Sequence, residues 1–211
     1  TVVAGNMGIT ALGQLGAITP STPVVLELSS WQVEAIKEHK LAPHVAVVTN
    51  ISPDHLDAYD SFEEYAATKR SLVHHVSPDG FAVLNQDDPE TRMAGVETIA
   101  CIARFGQGLG SGNGAWIDGR RLTWRWRGDE TALDLPRNPA LDGAHQPSNA
   151  AAAVAAAMLY GATPEAVKAG LRSFSGAPHR QERVATIDGV LYVNDSAATA
   201  PAAAISALKS F

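Results

Sequence analysis

The sequence predicts an α/β fold, a mostly parallel sheet flanked by helices, with a small antiparallel subsheet and the opening of a second α/β unit at its end. Three observations predict it. Two short apolar runs, Val24-Val-Leu-Glu-Leu28 and His44-Val-Ala-Val-Val-Thr-Asn50, have the length and composition of strands buried on both faces of a parallel sheet. Helical segments alternate with such runs through the first half, which implies right-handed crossovers. Between residues 98 and 135 the pattern changes to short β-like runs separated by glycine clusters, with the alternation Leu122-Thr-Trp-Arg-Trp-Arg127 of antiparallel strands that bury one face.

Residues 4–16, rich in glycine, read as a strand-to-helix turn and a short helix, whose free amides suit an anion as well as an ordinary tight turn. After the strand at 24–28, Trp31 to Leu41 is helical. Ser61-Phe-Glu-Glu64 has the form of a capping box and starts a helix that runs to about His75. Ser77-Pro-Asp-Gly80 is a turn, Phe81 to Leu84 a strand, and Asn85-Gln-Asp-Asp-Pro89 its polar exit. Trp124 and Trp126 point the same way, which suits packing of the subsheet onto the domain and, as the lesser alternative, stacking on a nucleobase. An alanine-rich helix from Ser148 to Tyr160 ends at Gly161, and Thr163 with Pro164 caps and starts the next. Ser173 to Pro178 is a linker; Gln181–Thr186 and Val190–Asn194 are strands around an Ile-Asp-Gly turn, and a helix begins at Pro201.

The composition, 45% hydrophobic and 18% charged over 211 residues, is that of a globular protein, and the net charge of −6 carries no basic patch for nucleic acid or an anionic membrane. No run of 18 apolar residues is present. The single cysteine, Cys101, allows no internal disulfide, suits a reducing cytoplasm and reads as a small core residue. The chain opens without methionine and closes inside the helix begun at Pro201, so both ends read as cut.

Two strands end in polar clusters, Glu27 on the first and Asn50 to Asp57 after the second. A carboxylate inside a buried strand must be paired, metal-bound or at the strand's C-terminal rim, because burying it alone is costly. Ligands of open α/β sheets sit at that rim. Glu27 is thus either the last strand residue, paired with a Lys or Arg, or part of a phosphate and Mg²⁺ site, since Mg²⁺ takes one or two carboxylates and leaves its other positions to water and phosphate.

The motifs Gly5-Asn-Met-Gly8, Glu27-Leu-Ser-Ser-Trp-Gln32, Asn50 through Asp54-His-Leu-Asp57, Lys69-Arg70, Asn85-Gln-Asp-Asp88, His145 with Asn149, Pro178-His-Arg180 and Asn194-Asp-Ser196 stand in the order found in the Mur ligases, which this chain resembles over nearly its whole length. The form after Glu27 is most like the branch that adds D-glutamate; a sister ligase, a folylpolyglutamate-synthase-like enzyme and a non-catalytic nucleotide-binding domain are the alternatives. The resemblance implies a central ATP-binding domain over residues 1–176 and the beginning of a Rossmann-like, glutamate-binding C-terminal domain over 177–211. It implies a cytoplasmic, monomeric ligase that uses ATP and Mg²⁺ to join UDP-N-acetylmuramoyl-L-alanine to D-glutamate through an acyl phosphate. Such chemistry needs positioning and charge neutralisation more than covalent help.

Carried over residue by residue, the resemblance makes Glu27 a Mg²⁺ ligand, His55 a ligand of a second Mg²⁺, and Lys69 a lysine that becomes a carbamate and so a further anionic ligand. Asn6, Ser29 and Gln32 would contact the UDP substrate, Asn149 the adenine, Arg180 a phosphate and Asp195 the ribose, with His179 a further ATP-binding residue beside Arg180. One departure stands out, Ala197 where the D-glutamate-adding enzymes often carry lysine. The family's phosphate loop, Gly-x-x-Gly-Lys-Thr/Ser, does not occur in these residues, so the chain by itself is expected not to turn over ATP.

Overall fold

The computed structural model describes residues 1–6, 9–54, 57–107, 112–141, 146–199 and 201–210. Its order is β1 (Val2–Gly5), β2 (Val24–Glu27), α1 (Ser30–Glu38), β3 (Val45–Val48), α2 (Phe62–Arg70), β4 (Phe81–Asn85), α3 (Pro89–Ala94), β5 (Cys101–Gly106), β6 (Gly114–Asp118), β7 (Arg121–Trp126), β8 (Asp129–Asp134), α4 (Gln146–Leu159), α5 (Pro164–Ser173), β9 (Glu182–Ile187), β10 (Val190–Asn194) and α6 (Pro201–Leu208). A six-stranded sheet runs β3-β4-β5-β6-β7-β8, parallel from β3 to β6 and antiparallel from β6 to β8. The α/β class with its antiparallel subsheet is therefore as the sequence predicts.

β4 shows why an apolar run becomes a central strand. Ala82, Val83 and Leu84 are all fully buried, and the period of two sends them to opposite faces. Val83 joins Ala103, Phe105, Ala115, Leu122 and Leu133 beneath the alanines of α4 and the apolar side of α5. Ala82 and Leu84 join Ala46, Val48, Tyr65, Val73 and Ala94 on the side of α2 and α3. The sheet is thus the middle of three layers. Trp124 and Trp126 lie on one face, their rings stacked at 5.8 Å, and Trp126 meets Phe81 edge-on.

Three expectations need correction. β2 is not part of the six-stranded sheet: it pairs in parallel with β1 alone, Val2 opposite Val24 through Gly5 opposite Glu27. Its apolar side chains are not buried on both faces, Val24, Val25 and Leu26 being 39%, 54% and 45% exposed. Apolar character sets strand propensity; the partner that covers the strand is a matter of tertiary placement. Next, β5 and β6 extend the parallel part of the sheet, so antiparallel pairing begins one strand later than the alternation suggests. Last, Cys101, at the start of β5, is only half-buried, its Sγ 3.4 Å from the Pro78 carbonyl oxygen.

The helix-start signals hold, although the helix begun at Ser61 ends at Arg70 and gives way to a 3₁₀ turn over Ser71–Val73, short of His75. Ser61 caps α2 by accepting from the Glu64 N–H, although the Glu64 carboxylate accepts from the Asp60 N–H and so reaches one residue beyond the usual capping box. Thr163 caps α5 with Pro164 behind it. The polar exit 85–89 does more than leave the strand: Asp88 caps the short helix α3, with Pro89 as its first residue. β9 and β10 form a separate antiparallel hairpin.

Candidate functional site

The first part of the site lies where β1 and β2 end. Gly5 has φ +130°, and a Cβ there would stand 2.8 Å from the Glu27 nitrogen and inside contact distance of the Glu27 carbonyl oxygen. The close approach lets the Asn6 N–H donate to that oxygen at 2.8 Å, which locks the Asn6 and Glu27 ends of the two strands together. The Glu27 side chain is exposed at this rim. Two residues on, Ser29 caps α1 in a full capping box: its N–H donates to Gln32 Oε1 at 2.9 Å and its Oγ accepts from the Gln32 N–H at 3.4 Å. Ser29 and Gln32, expected to contact substrate, thus also build the helix start beside Glu27, and the Gln32 amide nitrogen is not used in the box.

The loop after β3 supplies the other side. Asn85 Nδ2 donates to the Thr49 carbonyl at 2.9 Å and Asp88 Oδ2 accepts from the Ile51 N–H at 3.4 Å, holding the stretch that leads to the half-buried Asp54. His55 lies outside the described residues. Lys69, in the last turn of α2, is half-buried with Nζ 5.4 Å from the centre of the Tyr65 ring. Burial pushes its pKa below the usual lysine range, while the nearby carboxylates of Glu27 and Asp54 push back. The same Asp54, after burial, raises the Tyr65 hydroxyl, to about 12.

The structure therefore brings Glu27, Asp54 and Lys69 into one electrostatic cluster, with Asn6, Ser29 and Gln32 along its edge. The motif assigns Asp54 no role; the structure puts its carboxylate within electrostatic reach of Lys69 and Tyr65. Among the described residues, no group of three or more His, Cys, Asp or Glu side chains converges as a metal site. Two carboxylates and a lysine whose charged form is disfavoured do fit Mg²⁺ chemistry, because a hard ion needs only one or two protein carboxylates. Burial moves this lysine towards its neutral form, and the neutral amine is the form that can take up CO₂.

The second part of the site is built by the segments on either side of the β9–β10 hairpin. His179 has φ +62°; its Nδ1 accepts from Asn194 Nδ2 at 2.9 Å and its N–H donates to Glu182 at 2.9 Å. Asp195 Oδ1 accepts from the Gln181 N–H at 3.0 Å, and the Ala197 N–H donates to the His179 carbonyl at 3.1 Å. His179, Arg180 and Asp195 are thus held in one knot, and Ala197 takes part through its backbone. Arg180 and Pro178 line a cleft of about 500 Å³ together with Asn138, Gly176, Arg183 and Gln146, the first residue of α4. Asn149 sits exposed one turn into the same helix. Asn138, which the sequence reading passed over, donates to the carbonyls of Leu171 and Phe174 at 3.0 and 2.7 Å and pins the end of α5 to this cleft.

Comparison with known proteins accounts for this layout. The model of the Mur ligase middle domain matches residues 15–157, more than half of the sequence. The chain belongs to the Mur ligase family. Its curated Mur ligase relatives include the UDP-N-acetylmuramoylalanine–D-glutamate ligases of Roseiflexus sp. strain RS-1, 42% identical over 100% of this chain and 47% of the relative, and of Symbiobacterium thermophilum, 40% identical over 99% and 46%. The chain spans about half the length of the curated relatives it matches. Among solved structures it is similar in fold to the MurF ligase of Thermotoga maritima in complex with ADP, with TM-score 0.68, 21% identity and coverage of 99% of this chain and 50% of that one. The folylpolyglutamate synthase of Mycobacterium tuberculosis, complexed with ADP and AMPPCP, is similar at TM-score 0.64 and 24% identity over 94% and 45%.

Proposed function

We propose that this chain is the nucleotide-handling part of an ATP-dependent Mur ligase that adds D-glutamate to UDP-N-acetylmuramoyl-L-alanine. Residues 1–176 form its central domain and 177–211 open its C-terminal domain. The observation that carries the reading is the half-buried Lys69, stacked on Tyr65 in the last turn of α2 and within the field of the Glu27 and Asp54 carboxylates. The identity to D-glutamate ligases supports the choice of substrate.

In this reading Glu27, Asp54 and Lys69, as its carbamate, would hold Mg²⁺, and His55 would be a ligand of a second ion. When bound, the ion neutralises charge on the ATP phosphates and on the acceptor carboxylate. Asn6, Ser29 and Gln32 orient the UDP substrate at the same rim, the Gln32 amide nitrogen being the donor the capping box leaves over. Arg180 and His179 meet the phosphates from the other side, Asp195 the ribose and Asn149 the adenine. The carboxylate of the UDP substrate attacks the γ-phosphorus, ADP leaves, and the amine of D-glutamate displaces phosphate from the acyl phosphate. Orienting three reactants and screening their negative charges is the whole of the protein's part.

The test is ADP release by the complete gene product, with and without UDP-N-acetylmuramoyl-L-alanine and D-glutamate. Release that requires both supports the reading; none, or release indifferent to the UDP substrate, refutes it in favour of a non-catalytic or differently specific protein. Glu27→Gln keeps shape and removes charge, so it should lower turnover more than tenfold with unchanged melting; activity within about threefold, only ~0.7 kcal/mol in the barrier, removes Glu27 from the metal site.

A further inference from the structure

Arg70 is the only buried charged side chain among the described residues, at 4% exposure, although it follows Lys69 directly. Consecutive helix residues are about 100° apart, so one can face inward while the other looks to the rim. The Arg70 guanidinium meets three carboxylates: Glu63 on its own helix at 2.7 Å, Glu90 in the first turn of α3, and Glu97 at 3.3 Å. Glu97 also pairs with His74 at 3.0 Å. The three carboxylates meet three different nitrogens spread over a planar fork, whereas a lysine ammonium would have to serve all three from one nitrogen.

α3 is the shared anchor. Asp88, its cap, accepts from the Thr91 N–H with Oδ1 at 2.8 Å and from the Ile51 N–H with Oδ2. Ile51 lies in the loop that leads to Asp54, while Arg70 closes the helix that carries Lys69. The two halves of the Lys69 cluster are therefore fastened to the same helical turn, one through Asp88 and the other through Glu90. Nothing in the ligase chemistry described above uses Arg70 or Glu90.

We propose that Arg70 is a positioning residue: by tying the last turn of α2 to α3 through Glu90, it holds Lys69 facing Glu27 and Asp54. The inference rests on the ligase reading for its kinetic consequence but not for its geometry. In the complete gene product, Arg70→Lys should lower kcat at least about tenfold, the equivalent of about 1.4 kcal/mol, with KM for ATP and the UDP substrate within about twofold. Glu90→Gln breaks the same tie from the α3 side without adding volume and serves where Arg70→Lys does not fold. It should show the same split, and the double variant should be no worse than the weaker single one. Arg125→Lys, the same exchange at the half-buried Arg125 of β7, which pairs with Glu130 of β8 far from Lys69, is the control.

A second readout does not need turnover. Labelling of Lys69 by an amine-reactive ester, followed by mass spectrometry against the exposed Lys37, should rise about fivefold in Arg70→Lys as the turn loosens. Unchanged labelling, unchanged kcat, or kcat and KM moving together with melting and recovering on cooling would overturn the positioning role. A wild-type protein that releases no ADP but whose Lys69 labelling responds to Arg70→Lys would instead overturn the ligase reading and leave the positioning intact.

Discussion

Replacing Gly5 by alanine tests the link between backbone geometry and the site. At φ +130° a side chain is strained by about 1–3 kcal/mol. The new Cβ, 2.8 Å from the Glu27 nitrogen and 3.0 Å from its carbonyl carbon, must push β2 away from β1. That costs the Asn6–Glu27 hydrogen bond, worth about 1 kcal/mol net. The sum, about 2–4 kcal/mol, acts locally, because the two large core clusters contain no residue of β1 or β2. Amide hydrogen exchange should therefore quicken about 30- to 1,000-fold across β1 and β2 while β4 and β5 keep their protection. Displacing Glu27 by even 1 Å would lower kcat by about 100-fold. Equal exchange rates at residues 2–6 in variant and wild type would refute the argument, since no other described feature relieves the contact.

Lys69→Ala should be nearly inactive and partly restored by a short carboxylic acid added to the assay, whereas Lys69→Arg should not be restored; full activity of Lys69→Arg would show that a cation is all the position needs. Because the folded state disfavours the charged lysine, Lys69→Met should melt no lower than wild type at neutral pH, and a large loss on melting would contradict that burial cost. Tyr65, 4% exposed, has its hydroxyl pushed up to about 12 in the fold against 10.0 for a free tyrosine. The neutral form is favoured by folding, so the associated stability, about 3 kcal/mol, is present below pH 10 and lost as pH rises towards 12. Tyr65→Phe should flatten that alkaline decline in denaturant titrations; parallel curves would refute it.

Much of this fold is legible in the chain itself because its signals are local. The strands at 24–27, 45–48 and 81–85 announce themselves as apolar runs, and Ser61, Thr163 and Pro164 mark helix starts by capping chemistry that depends on neighbours three residues away. What could not be read is pairing. β2 and β3 look alike in sequence, yet one joins β1 in a two-stranded sheet and the other opens the six-stranded one, and no periodicity distinguishes them. Helix α3 was legible and passed over: Asp88-Pro89-Glu90 is a cap, a first-turn proline and a first-turn acid. At the site, the family motif picks out Glu27 and Lys69, but that Asp54 is their neighbour and that Arg70 turns inward are facts of side-chain direction, which a motif does not carry.

The alanines of α4 set a mechanical dimension. Ala150, Ala151, Ala152 and Ala155 are all 5% exposed or less and share one core cluster with the strands and α5, so their single-carbon side chains let the helix ride close to its neighbours. The helix is in effect a shim of minimum thickness. Any larger residue on that face would lift the whole rod, and with it Gln146 and Asn149 at its first turn, out of line with the cleft beside Arg180. The level at which this end of the molecule presents its cleft is thus fixed not by the residues that line it but by the small side chains beneath them.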